Sequence, residues 1–446
     1  MFKRVFISNR GEIALRIIRC CKELGLTSII GYSEADRDSL PVKLSDEKIC
    51  IGPSTPSESY LNIPSLISAI EVTNSEAVHP GYGFLAESIP FVEICEASRI
   101  IFIGPTSENI KLMGDKSLAR KTVSKIKIPI IPGMDDIENY TKAVNLAKKI
   151  GFPIILKASG GGGGRGMRVV SSIEEFESSW NMCKEEARIA FDNPSLYFEK
   201  YIERPRHIEV QLLADKKGNV LVFPERDCSI QRRHQKLIEE SPSPVISEKL
   251  RQKILKYAYR IAKSIKYQNA GTIEFLVDSS YRVYFMEMNT RIQVEHPVTE
   301  MVTGIDLVKQ QILIAQDEKL KIAMDDINIL NHTIECRINA EDPERNFIPS
   351  PGKITKFIPP GGIGIRIDTH IYEGYTIPPF YDSLLAKLIA FGKTREEAIN
   401  RMRRALNEIV IEGVKTTIPF HKKIIDNPIF LSGRYYVGWV EKLSEK

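Results

Sequence analysis

The first hundred residues alternate between apolar runs of strand length and a segment with helical spacing. Residues 5–8 form a short buried-strand run, after which apolar residues from Ile13 to Leu24 recur with helical periodicity until Gly25 interrupts them. Three more apolar runs of strand length follow, at residues 28–33, 77–79 and 100–105. Because strand–helix–strand units pair into a parallel sheet with helices on both faces, residues 1–113 are predicted to form a doubly wound α/β domain.

The pattern changes after Pro153, where strands begin to contain charged residues. The segment up to about residue 330 has the pattern of an α+β unit built from hairpins. The final third is rich in Gly and Pro turn signals. This predicts an antiparallel sheet that ends in a helix at about residues 395–409.

Composition narrows the class of protein without identifying a reaction. The chain has 446 residues, 43% apolar and 27% charged, as expected for a globular protein of about three domains. Its formal net charge of +5 is spread along the chain, which favours anionic small ligands over nucleic acid. No apolar run approaches the roughly 18 residues of a membrane span, and the N-terminus lacks a signal-peptide core. We therefore expect no membrane partner and a cytoplasmic location.

Isolated cysteines and histidines give weak signals. The seven cysteines are scattered and include no Cys-x-x-Cys pair, which disfavours a disulfide framework and a zinc ribbon. Cys228 lies in a dense polar stretch of the kind that lowers a thiol pKa, although an inert thiol is favoured even there. His332, His370 and His421 stand alone and are predicted to be surface or hydrogen-bonded core residues.

A run of five glycines, Gly160–Gly164, stands between two apolar segments. Each glycine costs roughly 0.5–1 kcal/mol of backbone entropy relative to alanine, so such a run usually lets backbone N–H groups approach a ligand. A flexible linker is the alternative, but the apolar flanks and the cation Lys157 on the incoming strand disfavour it. We predict a glycine hairpin that acts as a lid over nucleotide phosphates.

Other phosphate-binding loops do not fit this run. Gly161, Gly163 and Gly166 satisfy G-x-G-x-x-G, but that dinucleotide motif opens a helix, and residues 167–170 have a strand pattern. A Walker A loop would end in Gly-Lys-Ser/Thr, which this run lacks. A kinase loop would be accompanied by His-Arg-Asp and Asp-Phe-Gly motifs, and the chain has neither.

Residues 270–277 and 282–289 are predicted to form a hairpin in which each strand contains one carboxylate, Glu274 or Glu287, among apolar neighbours. A buried carboxylate is costly, so two on neighbouring strands imply a compensating cation, and Mg²⁺ or Mn²⁺ suits oxygen ligands. The alternation of polar residues continues to Glu295. If the chain stays extended, it places these polar side chains on one face: Glu287, Asn289, Arg291, Gln293 and Glu295.

These features resemble the ATP-grasp superfamily, through Lys157 with its glycine loop, residues 199–201, and the paired Glu274 and Glu287. Five segments resemble biotin carboxylase in particular, namely residues 79–84, 225–236, 287–297, 335–342 and 381–383. The resemblance spans nearly the whole chain and implies a mixed α/β and α+β ATP-grasp fold. The implied domains are an N-terminal α/β domain (1–113), an ATP-grasp domain (114–330) with a lid at about 131–203, and a mainly antiparallel β domain (331–446).

The functional residues of the family map onto matching positions of this chain. ATP would be held by Lys116, Lys157, Gly162, Gly163, Gly164, Glu199, Lys200, His207, Gln231 and His234. Two Mg²⁺ or Mn²⁺ ions would be bound by Glu274, Glu287 and Asn289. Bicarbonate and biotin would be held by Lys236, Arg291, Gln293, the Val294 backbone and Tyr82. Glu295 would be the base, and Arg337 would stabilise the enolate-like oxygen of biotin.

The resemblance implies a two-step reaction. Bicarbonate would attack the γ-phosphate of ATP to give carboxyphosphate, and CO₂ released from it would be transferred to biotin. The sequence ends at Lys446 without a Met-Lys-Met biotinyl segment, so we expect biotin to arrive on a biotin carboxyl carrier protein. Carboxyltransferase subunits and a second copy of this chain are the other expected partners, in acetyl-CoA carboxylation for fatty acid synthesis.

Three alternatives stay open. The chain could serve another acyl-CoA or pyruvate carboxylase with the same chemistry. An ATP-grasp ligase that uses an amine or carboxylate acceptor is disfavoured by Arg337 and the bicarbonate residues. A catalytically silent nucleotide-binding protein is disfavoured because the acidic and basic residues of the site are intact, including Glu274, Glu287, Lys236, Arg291 and Glu295.

Overall fold

The computed structural model describes residues 1–134, 140–158, 167–191 and 196–444. Its N-terminal strands are β1 (Arg4–Ile7), β2 (Thr27–Ser33), β3 (Glu47–Gly52), β4 (Ala77–His79) and β5 (Ile101–Phe102), with helices α1 (Gly11–Glu23), α2 (Leu40–Leu44), α3 (Ile63–Val72) and α4 (Ile89–Ala97). The five strands form one parallel sheet in the order β3-β2-β1-β4-β5. Within β1, Val5 and Ile7 pack towards α1, whereas Phe6 packs with α3 and α4. Helices therefore cover both faces, which confirms the doubly wound prediction.

A small antiparallel sheet with two packed helices follows. After α5 (Ser107–Gly114) and α6 (Lys116–Lys125), this part contains β6 (Gly133–Met134), α7 (Tyr140–Ile150), β7 (Ile154–Ala158), β8 (Met167–Val170), α8 (Phe176–Phe191) and β9 (Leu196–Lys200). The strand order is β6-β9-β7-β8, and Lys157 pairs with Met167. The two strands predicted to flank the glycine run are thus present, while residues 159–166 lie outside the described residues.

The central part of the chain supplies one side of a large antiparallel sheet. Its elements are β10 (Arg206–Ala214), β11 (Val220–Val222), β12 (Arg226–Arg232), β13 (Gln235–Ser241), α9 (Glu248–Ser264), β14 (Asn269–Val277), β15 (Val283–Asn289), α10 (His296–Thr303) and α11 (Leu307–Ala315). Along β10, Ile208 and Val210 join the core beneath α9. Since side chains alternate along a strand, His207 and Glu209 face the opposite side of the sheet. Apolar packing against α9 therefore directs the polar residues of β10 towards one face.

The same sheet continues into the C-terminal part in the order β15-β14-β10-β12-β13-β16-β23-β21. The C-terminal strands are β16 (His332–Asn339), β17 (Glu341–Asp342), β18 (Ile348–Pro349), β19 (Gly352–Lys353), β20 (Lys356–Ile358), β21 (Ile365–Thr369), β22 (Thr376–Ile377), β23 (Leu384–Gly392) and β24 (Val410–Glu412). The helices are α12 (Arg395–Glu408), α13 (Ile418–Ile425), α14 (Pro428–Leu431) and α15 (Trp439–Ser444). The antiparallel sheet and the helix near residue 395 are as predicted.

The prediction that this part ends in that helix is wrong. Strand β24 and three short helices follow α12, and their apolar residues Ile424, Phe430 and Trp439 complete the core around α12. Elements this short offer little periodicity to recognise, and α13 and α14 each have proline in the first turn. Across the part of the chain that the structure describes, no helix is both long and apolar enough to cross a bilayer.

Candidate active site

A cavity of about 1050 Å³ opens between the small sheet, the large sheet and the C-terminal part of the chain. It is lined by the predicted site residues Tyr82, Lys116, Lys157, Glu199, Lys200, His207, Gln231, His234, Lys236, Glu274, Glu287, Asn289, Arg291, Gln293, Val294 and Arg337. Glu295 is fully buried and is not part of this lining. Gly162, Gly163 and Gly164 lie outside the described residues. The fold thus brings together side chains that the sequence disperses over three parts of the chain.

Two carboxylates stand opposite each other on neighbouring strands of the cavity wall. Glu274 on β14 pairs directly with Glu287 on β15, and Asn289 Nδ2 donates a hydrogen bond to Glu274 Oε1 at 2.9 Å. Burial would raise the pKa of Glu274, but Lys236 and His207 outweigh it and hold this pKa well below its usual range. Glu274 is therefore ionised, and the set of oxygen donors fits Mg²⁺ chemistry.

Lys236 lies at the centre of the charged groups. Its Nζ is 2.5 Å from Glu209 Oε2, 2.6 Å from Glu295 Oε1 and 3.0 Å from Glu274 Oε1. Burial would lower the pKa of this lysine, but the three carboxylates raise it well above its ordinary value. The ammonium therefore stays charged. The sequence analysis missed Glu209, although a charged residue between the apolar neighbours of β10 is a usable signal. Its other oxygen accepts a hydrogen bond from Arg226 Nε at 2.5 Å.

Glu295 and Arg337 form a buried ion pair beside this lysine. Arg337 Nη2 donates to Glu295 Oε2 at 2.9 Å, and its Nε donates to Glu239 Oε1 at 2.6 Å. Burial would raise the pKa of Glu295, but Lys236 and Arg337 hold it well below its usual range. Burial also raises the pKa of Glu239 to about 7, against the charge of Arg337. Glu239 is a second carboxylate that the sequence analysis missed.

The polar alternation after Glu287 does not continue as a strand, because β15 ends at Asn289. The expectation of a single extended face through Glu295 is therefore wrong. Hydrogen bonds nevertheless gather the same side chains, since Arg291 Nη2 donates to Asn289 Oδ1 at 3.0 Å and its Nη1 donates to Gln293 Oε1 at 2.9 Å. Gln293 Nε2 in turn donates to Glu274 Oε1 at 3.0 Å. A bend in the chain, not a continued strand, therefore brings Asn289, Arg291 and Gln293 together.

Glu87, which the sequence analysis also missed, fixes this bend from the N-terminal part of the chain. Its Oε1 accepts hydrogen bonds from the backbone N–H of Thr290 at 2.8 Å and from the Thr290 hydroxyl at 3.0 Å. Its Oε2 accepts one from Arg291 Nε at 2.9 Å. The local sequence around Glu87 contains no signal for this contact, because it joins residues more than 200 positions apart.

The far end of the cavity contains the residues expected at the nucleotide. Lys157 Nζ lies 2.6 Å from Glu199 Oε2, and Arg120 Nη1 lies 2.5 Å from Glu199 Oε1. Lys200 Nζ donates to the carbonyl oxygens of Gly151 and Phe152 at 3.2 and 2.8 Å. In this arrangement Glu199 is neutralised by two cations.

Three more of the predicted nucleotide residues connect this end to the acidic wall. Gln231 Nε2 lies 2.7 Å from His207 Nδ1, and His207 Nε2 lies 2.9 Å from Glu274 Oε2. Burial would lower the pKa of His207, but Glu274 raises it overall. Lys116 Nζ is 3.6 Å from Glu287 Oε2. Cationic groups therefore stand on both sides of the carboxylate pair.

The isolated cysteine and histidines considered from the sequence are buried in the structure. Burial, reinforced by the charge of Glu209, raises the pKa of Cys228 well above its ordinary value, so the lowered pKa considered from the sequence is wrong. His332, His370 and His421 are all buried. His332 Nε2 lies 2.7 Å from Glu240 Oε2, and His421 Nε2 lies 2.6 Å from the Arg337 carbonyl oxygen. These two are the hydrogen-bonded core histidines that were predicted.

Three family descriptions match successive parts of this chain. Residues 1–110 match the biotin carboxylase N-terminal domain, and residues 335–442 match the biotin carboxylase C-terminal domain. Residues 115–323, between them, match the ATP binding domain of the carbamoyl-phosphate synthase L chain.

Full-length relatives and a solved structure are also similar. The biotin carboxylase of Nostoc sp. strain PCC 7120 is 54% identical over 445 residues, covering 100% of both chains. A pyruvate carboxylase subunit of Methanothermobacter thermautotrophicus is 51% identical over 443 residues, covering 99% of this chain and 90% of its own length. A similar solved structure is the biotin carboxylase domain dimer of Hydrogenobacter thermophilus 2-oxoglutarate carboxylase, with MgADP, ADP and bicarbonate. It has a TM-score of 0.95 at 46% identity, and the match covers 99% of this chain and 98% of that chain.

Proposed function

This chain belongs to the biotin carboxylase family and is an ATP-dependent ligase of that type, and we propose that it carboxylates biotin attached to a separate biotin carboxyl carrier protein. The observation that supports this most is the position of Lys236. Its ammonium contacts Glu209, Glu274 and Glu295 at once and joins the acidic wall to the Glu295–Arg337 pair. A triphosphate and a small oxyanion can therefore be held against each other in one cavity.

ATP would bind with its phosphates between Lys157, Lys116 and the Glu274–Glu287 pair. Two Mg²⁺ or Mn²⁺ ions would be held by these two carboxylates and Asn289, and their charge would offset that of the phosphate oxygens. Glu199, Lys200, His207, Gln231 and His234 would line the rest of the nucleotide site, and Gly162, Gly163 and Gly164 would cover the phosphates. A solved structure of a 46% identical chain with MgADP and bicarbonate supports the binding of a magnesium nucleotide by this fold.

Bicarbonate would bind to Lys236, Arg291, Gln293 and the Val294 N–H, and Glu295 would remove its proton. Lys236 and Arg337 now hold the pKa of Glu295 far too low for a useful base. A bound anion that pairs with Lys236 and Arg337 would weaken their contacts with Glu295. The pKa of Glu295 would then rise, because the effect of burial would exceed that of the remaining cations. The bicarbonate oxygen would attack the γ-phosphorus, the bond from that phosphorus to the ADP oxygen would break, and carboxyphosphate would form.

Carboxyphosphate would then split into CO₂ and phosphate, and that phosphate would accept the ureido N–H proton of biotin. Arg337 would donate hydrogen bonds to the ureido oxygen as negative charge accumulates there, a role that suits a permanently charged donor. The ureido nitrogen would attack CO₂ to give carboxybiotin. Tyr82, which lines the same cavity, would contact the biotin ring.

ATP cleavage with and without bicarbonate and free biotin tests this proposal. We expect cleavage that requires bicarbonate and rises with biotin. Glu295→Gln should abolish the bicarbonate-dependent part, and Arg337→Ala should prevent biotin carboxylation without changing the KM for ATP. Arg251→Ala is a matched control, since it breaks a buried ion pair with Glu225 outside the cavity. Cleavage that needs an amine instead of bicarbonate would favour another ligase, and wild-type rates in both site variants would refute the roles of Glu295 and Arg337.

The acceptor of the complete assembly is a separate question. We propose acetyl-CoA carboxylase in fatty acid synthesis, with carboxyltransferase subunits as partners and a homodimer of this chain. A 2-oxo acid carboxylase is the second candidate, because a subunit of pyruvate carboxylase and a domain of 2-oxoglutarate carboxylase are both similar over nearly the full chain. Carrier proteins from the two kinds of enzyme can be offered as substrates, and the cognate carrier should show the higher kcat/KM. Sedimentation velocity tests the dimer.

A further inference from the structure

Lys387, on β23, is a fully buried lysine that none of the roles above uses. Its Nζ donates to the Val294 carbonyl oxygen at 2.9 Å and lies 3.1 Å from Glu12 Oε1. Glu12 Oε1 also accepts a hydrogen bond from the Tyr82 hydroxyl. These four residues, the Lys387 cluster, come from α1, the loop after β4, the turn before α10, and β23.

Stability alone does not account for a charge pair at this position. Transfer of each ion from water to a protein interior costs several kcal/mol, and well-packed apolar residues of similar volume are often as stable as a buried pair. One carboxylate oxygen of Glu12 is buried without a hydrogen-bond partner. Packing alone therefore does not explain the cluster. Its contacts with Val294 and Tyr82 connect it instead to the walls of the active-site cavity.

One contact of Lys387 fixes the backbone next to Glu295. The Val294 carbonyl and the Glu295 N–H belong to the same planar peptide unit, so a bond to that oxygen sets the orientation of the unit. The preceding carbonyl is also held, because His296 Nδ1 lies 2.8 Å from the Gln293 oxygen. Burial keeps the pKa of His296 well below its ordinary value, so the ring is neutral. Because a carbonyl oxygen can only accept a hydrogen bond, Nδ1 is the protonated nitrogen and donates to it.

The other end of the cluster reaches the cavity wall at Tyr82. Burial and the neighbouring Glu12 raise the pKa of Tyr82 well above its ordinary value, so its hydroxyl stays protonated and donates to Glu12. Burial raises the pKa of Glu12 as well, although Lys387 opposes this. Both Tyr82 and the backbone before Glu295 are thus tied to one lysine.

We propose that Lys387 is a positioning residue, which fixes the backbone of Val294 and Glu295 for bicarbonate and, through Glu12, ties that backbone to Tyr82. The proposal rests on the proposed function, because it assumes that bicarbonate binds at Val294. It predicts that loss of the lysine weakens bicarbonate binding selectively. The nucleotide residues are held by other contacts, such as the Lys157–Glu199 ion pair.

The test is steady-state ATP cleavage with bicarbonate and ATP varied separately. Lys387→Met should raise the KM for bicarbonate about tenfold, the effect of a single lost hydrogen bond of about 1.4 kcal/mol, and change the KM for ATP less than about twofold. The double variant Lys387→Met/Glu12→Gln removes both charges, so it should show the same selective change without a stranded carboxylate. Arg251→Met, which breaks an ion pair outside the cavity, should change neither KM.

The tie to Tyr82 is tested by a double-mutant cycle. If Tyr82 acts through Glu12 and Lys387, then Tyr82→Phe combined with Lys387→Met should raise the KM for bicarbonate by less than the product of the single effects. Multiplicative effects would refute the tie.

The positioning role is wrong if Lys387→Met and the double variant both keep the KM for bicarbonate within about twofold of wild type. It is also wrong if the KM for ATP rises in parallel. If Lys387→Met does not fold, the double variant decides the question. Absence of bicarbonate-dependent cleavage in the wild type would instead refute the proposed function.

Discussion

Replacing Lys236 by methionine should destabilise the protein in a pH-dependent way. Methionine has a side chain of similar length but no charge. The substitution therefore removes the ammonium group that lies 2.5–3.0 Å from Glu209, Glu274 and Glu295. Removal of one partner of a buried ion pair costs about 3–5 kcal/mol. The lysine side chain is 12% exposed, and Arg226 and Arg337 remain as partners, so we expect the lower end of this range. At about 2 °C per kcal/mol, the melting temperature should fall by about 6 °C.

The pH dependence follows from the direction of the pKa shifts. In the wild type, the pKa values of Glu274 and Glu295 lie below that of an unfolded glutamate, about 4.3. Their contribution to stability is therefore fully present above that pH and is lost only as the pH falls further. Without Lys236, burial dominates and the folded pKa values rise above the unfolded one. The variant then binds protons on folding, and its stability falls as the pH rises.

Scanning calorimetry at about pH 6 and pH 8.5 measures both effects. The melting temperature of the wild type should fall modestly between these values as Glu239 ionises, and that of Lys236→Met should fall further. Lys236→Met/Glu209→Gln, which removes one stranded carboxylate, should recover part of the loss. A single variant that melts within about 1 °C of the wild type at both pH values would refute the reasoning.

Three further predictions address burial elsewhere in the chain. Cys50 is the exposed cysteine and the other six are buried. A thiol reagent should therefore label one cysteine quickly and the others only after unfolding, and fast labelling of two or more would contradict this. Gly271→Ala should lower the free energy of unfolding in urea by about 1–3 kcal/mol, because its Cβ would lie 2.6 Å from the buried Tyr267 hydroxyl. Gly114→Ala, with open space around its Cβ, is the control, and equal losses would refute the steric reasoning. The folded pKa of Glu239, about 7, exceeds its unfolded value, so the free energy of unfolding should fall as the pH rises from about 5 to 7. Urea unfolding of Glu239→Gln should show a weaker pH dependence, and a pH dependence equal to that of the wild type would contradict this.

Local patterns in the sequence were sufficient for much of the fold and for part of the site. Helix α1 and the parallel strands around it follow from spacing alone, because burial of one face imposes a period that neighbouring residues reveal. The β14–β15 hairpin, with Glu274 opposite Glu287, was also predictable. A carboxylate among apolar strand residues is costly wherever the strand lies, so its need for a cation was visible without a structure.

The sequence was misleading where a short element or a bend depends on distant contacts. The polar alternation beyond Asn289 looks like a strand, but Glu87 holds a bend there from the N-terminal domain. The polar stretch around Cys228 looks like a setting for a reactive thiol. In the structure that thiol is fully buried near Glu209 and Glu295, and both carboxylates raise its pKa.

The amino-acid sequence by itself determined the longer elements, such as α1 and the β14–β15 hairpin, and several of the charged side chains that must find partners. Only the tertiary structure decided what those partners are. The order of the large sheet places β13 beside β16, which brings Glu239 to Arg337. It also places β10 and β14 beyond β12 in the same sheet, which brings Lys236 within reach of Glu209 and Glu274. Such choices are invisible in one dimension, because an ion pair or a pKa depends on groups about 3 Å away in space, whatever their separation along the chain.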